Sequence, residues 1–104
     1  MNEKIKYHIR FQKPYVVKEK DYHSRMEIAK DALKFYLDNL KYYFPNIEIL
    51  AFDVYMFSAY VQTESESLET DMKNLKDWYG QVVERVIKKS NGIQWQNTAW
   101  SGNL

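Results

Sequence analysis

Residues 4–11 alternate without a break, with Ile5, Tyr7, Ile9 and Phe11 on one side and Lys4, Lys6, His8 and Arg10 on the other. A period of two is that of a strand with one buried face, and here the outward row is basic. This segment constrains the fold more than any other. Its apolar row has to be covered, while its cationic row is costly to bury. The rest of the chain must therefore supply strands to pair with it and helices to cover one side.

The following residues can be read for those parts. Gln12, Lys13 and Pro14 end the alternation, residues 15–18 read as a short edge strand, and residues 19–23 as a charged loop. Ser24 with Glu27 three residues on has the form of a capping box, which predicts a helix from about residue 25 to residue 43, stopped by Pro45. Met26, Ala29, Leu33, Leu37, Leu40 and Phe44 fall at spacings of three and four and form its core stripe. Residues 47–62 are rich in β-branched and aromatic side chains and read as strand. No Gly, Pro or Asn marks a turn inside them, so one strand and two remain alternatives, with Asp53 the place for a bulge or reversal.

Thr63 and Glu66 form a second capping-box pattern. Leu68, Met72, Leu75, Tyr79, Val82 and Val86 then repeat as one long helix that stops at Asn91-Gly92. Residues 93–100 alternate weakly and read as a last strand. The fold class is α+β: a small antiparallel or mixed sheet of three to four strands with two amphipathic helices packed on one face. If residues 47–62 fold back on themselves, the order becomes a split βαβ arrangement of the ferredoxin-like kind. With 104 residues and no repeat or linker-like tract, residues 1–104 are expected to be a single domain.

Composition narrows the function classes. There is no cysteine, which excludes a disulfide framework, a thiolate nucleophile and a zinc site with sulfur ligands. The first ten residues hold no apolar run of signal-peptide length, and no apolar stretch reaches the ~20 residues of a membrane span, so a cytoplasmic protein with no membrane partner is expected. The three glycines are scattered, with no phosphate-binding loop and no nucleophile elbow.

Only two histidines are present. His8 lies between Lys6 and Arg10, whose charges disfavour its protonation, and it reads as an exposed strand residue. His23 follows Asp21 by two positions, but a metal site needs further ligands at readable spacing. Asp53 lies in the most apolar segment and reads best as a residue at a bend. The expectation is a non-enzymatic chain with no catalytic residue, no cofactor and no metal.

Binding surfaces are better marked. On the first helix Ile28, Phe35 and Tyr42, seven apart, project opposite to the leucine stripe, while Glu27, Lys30, Asp31, Lys34, Asp38 and Lys41 fill the arc between and can pair at i,i+3. Aromatic residues make up 16% of a chain whose mean hydropathy is -0.63, more than one small core needs. Ile28, Phe35 and Tyr42, joined by Tyr15 and Tyr22, are therefore expected to bind another protein, a homodimer seam being the variant of that reading. Lys exceeds Arg twelve to three, and the chain carries no visible active site. The type this suggests is a phage or mobile-element accessory protein that inhibits a host defence or replication enzyme by direct binding, anti-CRISPR-like in type. The alternative is a nucleic-acid-binding domain that uses Lys4, Lys6, Arg10 and Lys13 on and after the basic face of the first strand. Tyr7 and Phe11 point away from those cations, which leaves that face without aromatics of its own strand.

Overall fold

The computed structural model describes residues 4–13 and 22–89, with side chains from residue 24 in the second stretch. The elements run β1 (Ile5–Phe11), α1 (Tyr22–Tyr43), β2 (Glu48–Asp53), β3 (Ser58–Thr63), α2 (Leu68–Lys73), α3 (Asp77–Val82) and β4 (Val83–Lys89). The four strands form one sheet in the order β2-β3-β1-β4, and every neighbouring pair is antiparallel. Each long connection therefore skips over one strand, and this is the split βαβ topology.

Residues 47–62 do fold back. The reversal needs no glycine because Asp53 Oδ1 accepts the N–H groups of Tyr55 and Met56, an Asx-type turn, and Phe57 takes a positive φ of 53°. Phe57 is fully buried, and its carbonyl accepts the Phe11 N–H at 2.9 Å. Packing and ladder thus hold a conformation that a bulky residue otherwise avoids. A register shift at Leu50 puts a bulge into β2 as well.

Tyr7, Ile9 and Phe11 of β1 meet Ala59 and Val61 of β3, Leu33, Leu37 and Leu40 of α1, Leu68 and Met72 of α2, and Val83 and Val86 of β4 in one core. All helices thus serve the same sheet face. Each buried aliphatic side chain contributes on the order of 1.5–3 kcal/mol. Tyr7 keeps its hydroxyl satisfied by donating to the Ser65 carbonyl at 2.7 Å and accepting from the Leu68 N–H.

The long second helix is not formed. Its stretch divides into α2, a turn with Lys76 at φ 50° and ψ -100°, α3, and then strand β4. Val82 closes α3 and Val86 lies in β4, and both are buried, so their spacing of four imitates a helical repeat across the junction. Within β4 the register shifts opposite Arg10 and Phe11, where Phe11 faces Val83 and Arg10 faces Arg85. Glu84 is the extra residue, so two buried valines stand three apart in a strand. The strand expected at residues 93–100 and the edge strand at 15–18 lie outside the described residues.

Neither capping box is built as read. Helix α1 begins at Tyr22, so Ser24 falls inside its first turn. Thr63 ends β3, and its Oγ1 accepts from the Ser65 N–H, while Ser65 Oγ accepts from the Ser67 N–H and donates to Asp71. A chain of short polar turns therefore leads into α2.

Candidate functional site

Two surfaces collect the chemistry-bearing residues. The first is the side of α1 turned away from the sheet. Packing Leu33, Leu37 and Leu40 inward forces residues about 180° away on the helix to face out, and Ile28, Phe35 and Tyr42 are 40%, 63% and 78% exposed. They repeat every seven residues, about 10 Å apart along the axis. Asp31 and Asp38 lie in the same outward arc and are exposed. The i,i+3 ion pairs read from the sequence on this helix are not formed among the described residues, which leaves both carboxylates without a cation held against them. At the C-terminal end Tyr43 extends the row, edge-on to Tyr42 at 5.4 Å and tilted against Trp78 at 5.7 Å. Of the residues expected to join this surface, Tyr15 and the side chain of Tyr22 lie outside the described residues.

The second surface is the sheet face turned away from the helices. The alternation of β1 places Lys6, His8 and Arg10 there, and the ladders bring up their neighbours. Arg10 faces Arg85 and Lys6 faces Lys89 on β4, while His8 faces Ile87 on one side and Tyr60 on the other. His8 and Tyr60 stack with ring centroids 4.5 Å apart and planes 24° apart. His8 is thus half-buried, which corrects the expectation of an exposed residue. Its pKa is lowered from 6.5, first by burial and then by the charges of Lys89, Arg10 and Arg85.

Tyr60 supplies this face with an aromatic that β1 does not itself provide. Burial also pushes its phenol upward. A cleft of about 90 Å³ lies between His8, Arg10, Arg85 and Ile87. Lys4 pairs with Glu48 at 3.1 Å, and Arg10 with Glu84 at 3.7 Å. A Gln62 hydrogen bond first, and then Lys4, hold the Glu48 carboxyl below its usual range. Lys6, Arg85 and Lys89 are in no ion pair among the described residues. Exposure is uneven: Ser58, beside β2, is fully buried, whereas Arg85, on the β4 side, is exposed. Lys13 follows β1 and is exposed, two residues beyond its end.

His8 and Asp53 do not converge. They lie on strands separated by β3, and Asp53 is occupied in the β2–β3 turn. The His23 side chain lies outside the described residues. Among the described residues no three His, Asp or Glu side chains could together hold a metal ion, and no helix is long and apolar enough to cross a membrane. Comparison with known proteins adds no relative: no family model, no curated protein and no solved structure matches this chain.

Proposed function

We propose that this chain is a non-enzymatic protein-binding module that docks a partner on the outer face of α1. The observation that carries the reading is the exposure of Phe35 and Tyr42 in one row with Ile28 on a helix whose opposite face fills the core. Aromatic side chains offer large contact area at low entropic cost, and a solvated row of them is what an interface hot spot needs. Asp31 and Asp38 in the same arc specify the partner's chemistry: an apolar groove bordered by lysine or arginine. In its narrower form the partner is a host enzyme and the chain an inhibitor of phage or mobile-element type, a form that rests on the lysine-rich composition, the small size and the lack of a catalytic motif in the sequence.

Phe35→Asp and Tyr42→Asp test the docking face. Each variant should keep the melting temperature and circular dichroism of the parent, because neither side chain is in the core. Each should weaken a purified partner, first identified by affinity capture from the native host, by about 30-fold or more, the scale of a hot-spot loss near 2 kcal/mol. Unfolding of both variants, or unchanged affinity, overturns the reading. Sedimentation that shows a dimer turned into a monomer by Phe35→Asp would replace the foreign partner with a second copy.

A further inference from the structure

The pairing of β1 with β4 is unusual in its charges. Arg10 stands directly opposite Arg85, and four residues along the strand Lys6 stands directly opposite Lys89, both on the sheet face away from the helices. Like charges opposite one another in a ladder are destabilising, so the arrangement weakens the free protein at two places. Glu84 offsets Arg10 in part. Lys6, Arg85 and Lys89 have no such offset among the described residues. The same field reaches His8 between the two pairs, whose affinity for a proton is lowered by Lys89, Arg10 and Arg85 in addition to burial. The acidic groups near this face are Glu48, tied to Lys4, Asp53, held in its turn, and Glu84.

We infer that the β1–β4 side of the sheet is a binding surface for single-stranded nucleic acid, held by its phosphates on the Arg10–Arg85 and Lys6–Lys89 pairs. The two pairs are four strand residues apart, about 13 Å, so the ligand must present repeated negative charge along a line. A polymer of phosphates does so, and its binding would relieve the repulsion within both pairs. The His8–Tyr60 stack lies beside the same track on the two central strands, the position from which an aromatic ring on a small sheet meets a base. The arginine forks suit phosphate oxygens geometrically as well as electrostatically.

Fluorescence anisotropy with a labelled oligothymidine, using the full chain, tests this. Four phosphate contacts predict a loss of affinity of about 50-fold between about 50 and 200 mM salt, and the double variant Arg85→Gln, Lys89→Gln should reduce that loss to about 7-fold. Lys30→Gln with Lys34→Gln, which removes two cations from α1, should leave both affinity and salt dependence as in the parent. Without ligand, Arg85→Gln should raise the melting temperature by about 1 to 5 °C, because it removes one like-charge pair. Absence of binding at about 50 mM salt overturns the inference. So does equal weakening by the α1 lysine variants, equally tight binding of a duplex, or full competition by polyglutamate at equal charge.

Discussion

His8 shows at the scale of one side chain how the fold sets a property that its sequence neighbours only suggest. Burial disfavours its charged form first, and Lys89, Arg10 and Arg85 add to that, so its pKa lies below 6.5 in the folded chain. In the unfolded chain the imidazole takes up a proton as the pH falls through about 6.5, while the folded chain resists. The unfolded state then binds more protons, and stability falls with falling pH from that point until His8 protonates in the native state. Thermal unfolding between about pH 8 and 5 should show this decline, and His8→Gln should flatten it. An unchanged slope in the variant would remove His8 as its cause. Of this environment the sequence discloses Lys6 and Arg10, which flank His8 in β1. It does not disclose Arg85, Lys89 or Tyr60, because those arrive through pairings between segments some 50 to 80 positions apart, and no local period encodes which strands become neighbours.

Elements were legible where one period ran uninterrupted. The alternation of β1 and the leucine stripe of α1 stand as read, because each is a regular element with one buried face. Residues 68–89 are not, since Val82 at the end of α3 and Val86 in β4 are both buried, and their spacing of four imitates a helical step across a helix–strand junction. The helical part is itself divided by a backbone feature, the turn at Lys76 between α2 and α3. Its φ of 50° with ψ of -100° lies in a region that a residue with a Cβ rarely occupies, and its side chain is exposed. Strain of this kind costs about 1–3 kcal/mol, and glycine adopts the conformation without it, at the expense of a more flexible unfolded state. Lys76→Gly should therefore stabilise the chain by about 1 kcal/mol in urea unfolding. A loss of stability would mean that the break between α2 and α3 is held by something other than this one residue's backbone.

At the scale of the whole molecule, the division of charge along the chain is re-sorted into faces. Residues 1–45 carry a net +4 and residues 46–104 a net -3, yet β4 comes from the acidic part and delivers Arg85 and Lys89 beside the basic row of β1. Because β4 pairs with β1, the cations gather on the β1–β4 side of one sheet face, while the aromatic and acidic row of α1 lies on the far side of the core. The two faces share no side chain, and one cluster of buried residues lies between them among the described residues. Sites on opposite sides of a packed core that share no side chain are expected to bind independently. Phe35→Asp should therefore leave the oligothymidine affinity and its salt dependence within about twofold of the parent, and Arg85→Gln with Lys89→Gln should do the same for affinity toward the protein partner. A shift in both affinities from either variant would show that one ligand spans the molecule or that the core transmits between faces. Titration of each variant with both ligands decides between independence and coupling.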